Sequence, residues 1–167
     1  MKKRWTILYC IIFMAFCQCS TGVNAISETQ KTAISENCSA IRESLKLTQR
    51  DDTGARVYLG KKFNTILMKY ITPLNVKLVE KNITDTSLLD NQQKFAEADK
   101  KFRDDFTHYM QELEGLIGID CTAEPENFYT RLELVRGGRR LMVKDVEQLK
   151  KLVVEQVKFV TELRGKL

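Results

Sequence analysis

The strongest constraint on the fold is a row of apolar residues close to the C-terminal end of the 167-residue chain. From Phe128 to Leu163 these residues alternate spacings of four and three, which is typical of a helix that packs along its whole length. Arg139 and Gln156 are the two members that are not apolar. The row consists of Phe128, Leu132, Val135, Arg139, Met142, Val146, Leu149, Val153, Gln156, Val160 and Leu163. It predicts one long helix, which at 1.5 Å per residue extends about 55–60 Å.

A pair of glycines, Gly137 and Gly138, stands inside this row. Together they cost about 2 kcal/mol relative to alanine in a helix interior, so a break is the natural concern. The apolar spacing nevertheless keeps its phase on both sides of the pair, which a loop would have no reason to preserve. We therefore predict a continuous helix that is weakened at this point.

A second run of apolar residues at helical spacing precedes the first along the chain. Asp90 or Thr86 is suited to cap its start, and Gly118 follows its end. The run contains Phe95, Ala98, Phe102, Phe106, Tyr109, Leu113 and Leu116. It predicts a long helix in the middle of the chain, followed by a turn that contains Cys121 and by a helix start at Pro125.

The N-terminal part of the domain carries a weaker stripe. Its apolar members are Cys38, Ile41, Leu45, Leu59, Phe63, Ile66 and Tyr70. The middle of the stripe holds Thr48, Asp52 and Ala55, and Gly54 weakens it further. We predict one helix over residues 35–71 that breaks at Thr72 and Pro73, with Thr72 as N-cap of a short helix to about Lys81.

Three long amphipathic helices cannot each hide an apolar stripe alone, so they should pack against one another. The predicted fold is all-α: an elongated antiparallel bundle of three long helices plus a short helix, closed by one disulfide. The polar positions in the stripes, Thr48, Asp52, Arg139 and Gln156, are interpreted as places where a partner or a second copy docks.

The chain begins with features of a cleavable signal peptide. Lys2, Lys3 and Arg4 precede an apolar run, and Val23 and Ala25 stand at the −3 and −1 positions of a cleavage site. This divides the chain into a signal peptide, residues 1–25, and a single helical-bundle domain, residues 26–167. The interpretation implies a secreted or extracytoplasmic location at the cell surface or envelope. Two alternatives stay open, namely an uncleaved anchor and lipidation at Cys19.

Export changes the cysteine count. Three of the five cysteines lie in the signal peptide, which leaves Cys38 and Cys121. In an oxidising compartment these two have one intramolecular pairing available. In an up-down bundle the start of the first helix and the end of the second meet at the same end, so the helix prediction also places them together. We predict a Cys38–Cys121 disulfide. The glycosylation sequons at Asn37 and Asn82 matter only if the host uses them.

Candidate catalytic chemistry is sparse in the sequence. Cys121 as a nucleophile needs a nearby base, and the single histidine, His108, is about three and a half helical turns away along the chain. Two remaining cysteines and one histidine fall short of a closed zinc set. Acidic residues such as Asp104 and Asp105 are more often solvated or paired with lysines such as Lys100. No catalytic, cofactor-binding or metal-binding residue is therefore assigned, and no cofactor is expected.

The densest basic patch is the stretch RGGRR, and Arg136, Arg139 and Arg140 are candidates for contact with a polyanion. Without the signal peptide, 24 basic residues face 22 acidic ones, so the exported net charge is +2. The sequence contains no nucleic-acid-binding motif and no aromatic interleaving, which argues against a nucleic-acid partner. A solvated helix face is the favoured alternative for these arginines.

The run ARVYLGKKFNTILMKYITPLNVKLVEKN, a cysteine that opens the first helix, and DCTAEPENFY before the last helix carry a resemblance. With these features the chain resembles small secreted helical proteins of Saccharibacteria and related reduced-genome bacteria. That group has no assigned activity, so the resemblance implies an exported helical bundle and carries over no functional residues.

Together these features predict an exported, non-enzymatic helical interaction or structural protein of the cell surface or envelope. The expected partner is a protein, either a second copy or an envelope component, and contact with the membrane is expected only through the signal peptide before cleavage. Two alternatives remain. One is an envelope chaperone that holds clients between its helices, and the other is a hydrolase or thiol enzyme that uses scattered carboxylates or Cys121.

Overall fold

A computed structural model describes residues 26–83 and 85–165 of the chain. The described residues form five α-helices and one π-helical turn, in the order α1 (Glu28–Glu36), α2 (Cys38–Ile66), the turn Leu67–Ile71, α3 (Thr72–Glu80), α4 (Thr86–Gly118) and α5 (Pro125–Arg164). The three long helices pack against one another, and helices that follow each other along the chain are antiparallel, as predicted. The predicted signal peptide, residues 1–25, lies outside the described residues.

Helices α4 and α5 form the best-packed pair of the molecule. Every predicted apolar residue of α4 is buried except Ala98, which is partly buried. The α5 helix is continuous through Gly137 and Gly138, as predicted. Its packing explains the second glycine, because a Cβ atom at Gly138 would stand 3.4 Å from the side chain of Tyr109 on α4. A small residue is therefore useful here, where the two helices approach closely.

The first long helix begins and ends differently from the prediction. Helix α2 begins at Cys38, and the separate short helix α1 precedes it. The α1 helix was missed, although a capping box signals its start: Ser27 and Gln30 exchange side-chain and backbone hydrogen bonds. The prediction of Asp90 or Thr86 as the N-cap of α4 was also wrong. The N-cap is Asp85, whose side chain accepts hydrogen bonds from two backbone N–H groups of the first turn.

The predicted short helix is confirmed as α3, Thr72–Glu80, but the prediction of Thr72 as its N-cap is wrong. Thr72 has helical dihedral angles and does not act as an N-cap, and its N–H donates to the carbonyl of Leu67 five residues earlier. Pro73 lacks an N–H, and in a regular α-helix its ring would clash with the carbonyl four residues before it. The wider π-helical turn relieves that clash without ending the helix. It also shifts the phase of the apolar stripe by one residue, so Ile71 is buried in place of the predicted Tyr70.

The core has two clusters along the rod. One surrounds the cysteine end and includes Phe106, Tyr109 and Phe128. The other lies towards the far end, where Phe63 of α2 packs edge-on against Phe95 and Phe102 of α4, with ring centroids 6.2 and 6.1 Å apart. Among the described helices, none has a stretch that is long and apolar enough to cross a lipid bilayer.

The two cysteines lie at the same end of the rod, as predicted. Cys38 opens α2, Cys121 follows α4, and the structure places them at disulfide distance with Cα atoms 5.5 Å apart. Both side chains are buried in the cysteine-end cluster. The bridge closes a loop of 83 residues, which stabilises the fold by roughly 4–4.5 kcal/mol in the chain-entropy account.

Candidate functional site

The most distinctive surface of the molecule is a groove between α2 and α5. Both helices pack against α4, but their own backbones hardly approach each other. In the middle of the molecule this α2–α5 groove has α4 at its base and the two other helices as its walls. Its middle segment has a volume of about 870 Å³. The segment at the cysteine end, about 580 Å³, is also lined by α1, and the segment at the far end, about 370 Å³, is also lined by the π-helical turn and α3.

The middle segment has an apolar base. Phe102 and Phe106 of α4 lie at the bottom, and apolar side chains of both walls flank them. On the α2 wall this side chain is Leu59, and on the α5 wall Met142, Val143 and Val146 take this role. Val143 is 55% exposed, so the apolar surface continues outward to the rim of the groove.

Cations dominate the rim of the middle segment. Six basic side chains line it, against two carboxylates, those of Asp52 and Glu147. The basic residues are Arg56 of α2 and Arg136, Arg139, Arg140, Lys144 and Lys150 of α5. All three arginines that the sequence singled out for contact with a polyanion therefore lie in one place, on the wall of this groove.

Several of these cations have no carboxylate partner within residues 26–83 and 85–165. Arg139 pairs with Asp52 at 3.0 Å, and Arg136 pairs with Glu133 at 2.6 Å. Four others form no such ion pair, namely Arg56, Arg140, Lys144 and Lys150. Arg56 instead stacks over the ring of Phe106, with 5.2 Å between the guanidinium carbon and the ring centroid. The groove thus presents positive charge beside apolar surface.

A hydrogen-bonded bridge crosses the base of the groove. The buried hydroxyl of Tyr109 on α4 donates to Asp52 of α2 at 2.6 Å, and Arg139 of α5 donates to the other oxygen of the same carboxylate. Burial raises the pKa of the Tyr109 hydroxyl, and the hydrogen bond to Asp52 raises it further. The bridge joins all three long helices, so it fixes the distance between the two walls.

The structure shows which contacts the four polar positions of the apolar stripes make within the chain. Asp52 and Arg139 hold each other, and the buried Gln156 accepts a hydrogen bond of 2.7 Å from Asn91 of α4. Thr48 donates to the carbonyl of Ser44 in its own helix. These four positions therefore have hydrogen-bond partners within the chain. Arg139 is also exposed on the wall of the groove, and the docking of a partner at these positions stays a prediction.

The residues weighed for catalysis occupy other places. Asp104 pairs with Lys100 on the surface of α4, as predicted. Lys101 bridges Asp105 of its own helix and the buried Asp145 of α5, at 2.6 and 2.7 Å. The hydrogen bond from Lys101 lowers the pKa of Asp105, while burial raises the pKa of Asp145. This contact between two helices was missed, because sequence spacing does not show which residues of α4 and α5 face each other.

Cys121 is fully buried and bridged to Cys38, and in that form it has no free thiol. Across the two described ranges of the chain, no three His, Cys, Asp or Glu side chains gather closely enough to hold a metal ion.

The sequence matches no protein-family model, and neither a curated protein nor a solved structure is significantly similar to the chain. The resemblance to secreted proteins of Saccharibacteria therefore stays a prediction. The groove, which stands on its own geometry, is the best starting point for function.

Proposed function

We propose that the protein is an exported, non-enzymatic interaction protein that binds an anionic amphipathic partner in the α2–α5 groove. The observation that carries this proposal is the middle segment, where apolar surface lies beside cations without carboxylate partners. Apolar contact supplies most of the binding free energy in such a site, and the charges select the partner and its orientation.

Other features agree with a binding role. The cysteine that could act as a nucleophile is bridged, and the carboxylates of Asp105 and Asp145 are held by Lys101 at the α4–α5 interface. The expectation of export rests on the signal-peptide features of residues 1–25 and on a cysteine pair suited to an oxidising compartment. A cell-surface or envelope protein is the partner class that this location favours.

An anionic apolar dye, anilinonaphthalene sulfonate, tests the groove directly. We expect the native protein to bind the dye with an increase in fluorescence. Val143→Asp places a carboxylate on the apolar wall and should abolish most of that increase. Leu141→Asp is the matched control, because Leu141 is 47% exposed on the same helix and does not line the groove.

The proposal fails if the native protein does not bind the dye, or if both aspartate variants weaken binding equally. Circular dichroism of each variant shows whether the helices are retained. Both replaced residues are about half exposed, so neither change should disturb the core.

The second candidate function is an envelope chaperone that holds unfolded clients. It is favoured by apolar side chains exposed near the far segment, namely Met68, Tyr70 and Val157, which are 58%, 66% and 61% exposed. A chaperone of this kind would suppress the aggregation of unfolded clients regardless of their charge. An anion-selective groove would instead protect only acidic clients, so an aggregation assay with one acidic and one basic unfolded protein separates the two functions.

A further inference from the structure

We propose that the α2–α5 groove binds an acidic amphipathic α-helix of a partner protein, which takes the fourth position of a four-helix bundle. This inference rests on the proposed function and specifies the partner's chemistry and shape.

The three long helices are arranged as a four-helix bundle with one corner open. In such a bundle each helix packs on two neighbours, and the helix opposite stands across a diagonal. Helix α4 packs on both α2 and α5, which leave a groove between them. At the cysteine end the short helix α1 already packs against α2 and α5. The middle and far segments extend along α5 from Arg136 to Thr161, a length of about 38 Å at 1.5 Å per residue.

The row of apolar residues on α5 consists of two parallel lines of side chains, and one of them is only partly buried by the other helices of the protein. Of the two rows in the four-three pattern, one is buried, mainly against α4: Phe128, Val135, Met142, Leu149 and Gln156. The other row lines the groove segments one after another and is half-buried except for the exposed arginine: Leu132, Arg139, Val146, Val153 and Val160. Knobs-into-holes packing uses both rows, so a further helix in the groove would complete the contact of the second row.

The rim charges specify the polar flank of the partner helix. Arg136, Arg140 and Lys144 follow one another at intervals of four residues, close to one helical turn, or about 6 Å. Carboxylates at the same interval on a facing helix would meet them in register. Arg56 on the opposite wall would meet a carboxylate on the other flank. The complementary helix therefore has an apolar stripe bordered by Asp or Glu.

Two other occupants fit less well. Binding sites for small amphiphiles bury most of the surface of their ligand, whereas this groove is open along its length and covers one face of an occupant. A symmetric dimer through the groove would place the same cation row of two copies together, and like charges facing each other oppose association. A helix needs only one face covered, which is how helix-in-groove recognition works.

Two labelled peptides of four heptads test the proposal with the full-length protein. Both carry the same leucine stripe; one has glutamate on its flanks and the other has lysine. In fluorescence anisotropy we expect the glutamate peptide to bind at least tenfold more tightly than the lysine peptide, with an affinity that falls as salt increases. Phosphatidylglycerol vesicles serve as the lipid probe, and light scattering of the protein alone reports self-association.

A charge-reversal variant tests the rim. Arg140→Glu combined with Lys144→Glu should weaken the glutamate peptide by roughly tenfold or more, because two attractions become repulsions. Lys61→Glu combined with Lys62→Glu changes the net charge by the same amount on exposed residues of α2 that do not line the groove, and should leave binding unchanged. All four replaced residues are exposed, so the fold should be retained.

Equal binding of both peptides, binding that ignores the reversal of Arg140 and Lys144, or vesicle binding without peptide binding would each overturn the helix proposal. Concentration-dependent dimers that exclude the peptide would assign the groove to a second copy instead. Groove binding of the dye without peptide binding would refute this inference alone, whereas loss of both would also refute the proposed function.

Discussion

The interface between α4 and α5 is closed along its length, whereas the interface between α2 and α5 is open. Between α4 and α5, buried apolar rows from both helices meet, and Asn91 adds hydrogen bonds to the Leu152 carbonyl and the Gln156 side chain. Between α2 and α5, direct contact is largely replaced by the groove and by the ion pair of Asp52 with Arg139. One side of α5 is packed against α4, and the other side lines the groove.

The difference follows from the composition of α2. Its apolar stripe is interrupted by Thr48, Asp52 and Ala55, which give little apolar surface to a neighbouring helix. The helix is held instead at particular points: the Cys38 bridge at one end, the Asp52 bridge in the middle and Phe63 towards the far end. Apart from the ion pair of Asp52 with Arg139, these attachments join α2 to α4 or to the turn after it, so the space between α2 and α5 stays open as the groove.

Removal of the disulfide, which holds one end of α2, should cause the largest loss of stability. Replacing both Cys38 and Cys121 by serine should lower the free energy of unfolding by about 4 kcal/mol, because the unfolded chain loses an 83-residue loop constraint. Urea unfolding followed by circular dichroism measures the loss. A decrease below about 1 kcal/mol would mean that α2 is held by its side-chain packing and not chiefly by the bridge.

The bridge at Asp52 should have the next largest effect. Asp52→Ala removes the acceptor of the buried Tyr109 hydroxyl and should cost about 1–3 kcal/mol of unfolding free energy. Asp51→Ala is the neighbouring control, since Asp51 is exposed and lies 3.6 Å from Arg50 alone; it should change stability by less than about 0.5 kcal/mol. Thermal or urea unfolding compares the two. Equal losses of unfolding free energy in the two variants would show that the hydrogen bonds of Asp52 do not stabilise the fold.

Alanine substitutions at the two glycines of α5 test how closely α4 and α5 pack, because Gly138 approaches α4 and Gly137 does not. Gly137→Ala should raise the free energy of unfolding by about 0.5–1 kcal/mol, since a Cβ there meets open space and alanine favours the helix. Gly138→Ala should gain less, because its Cβ would stand 3.4 Å from Tyr109 on α4. Paired urea titrations decide the order. A larger gain at Gly138 would show that α4 and α5 are not closely packed at this point.

The smallest effect should come from a titration at the α4–α5 interface. Burial raises the pKa of Asp145 in the folded protein, so the folded state retains a proton that the unfolded chain loses near pH 3.8. Stability therefore falls as the pH rises from that value through the folded pKa. Asp145→Asn has no such proton, so its stability relative to the wild type should be higher at pH 7 than at pH 3.

Asp104→Asn is the control for this titration, because Asp104 is exposed and pairs only with Lys100. Unfolding free energies at the two pH values should show no relative gain for this variant. A relative gain as large as that of Asp145→Asn, or none for either variant, would contradict the assignment of the effect to burial of Asp145.

The sequence predicted the closed side of the molecule more completely than the open side. The apolar rows of α4 and α5 continue with few interruptions, so periodicity was enough to locate these helices and the face that each of them buries. The cysteine pairing followed from helix order. Beyond Ile66 the predicted apolar stripe was wrong. The π-helical turn has one more residue per turn than the regular helical period assumes, so Ile71 is buried in the core instead of Tyr70.

The groove could be predicted only in part. Arg136, Arg139 and Arg140 were recognised as a basic cluster because they are adjacent in sequence. Arg56 comes from another helix, and its position over Phe106 depends on how far α2 stands from α4. That distance is set by the Asp52 bridge and the disulfide acting together, and no local pattern in the sequence encodes it.

Hydrogen exchange of the native protein tests the contrast between the two interfaces most directly. The backbone amides of α2 should exchange through local openings of lower free energy than those of α4 and α5, because α2 is attached at a few points while α4 and α5 are packed along their length. Reduction of the disulfide should widen this difference. If the amides of all three long helices exchange with one common free energy, the α2 side is as firmly packed as the α4–α5 side, and the account is contradicted.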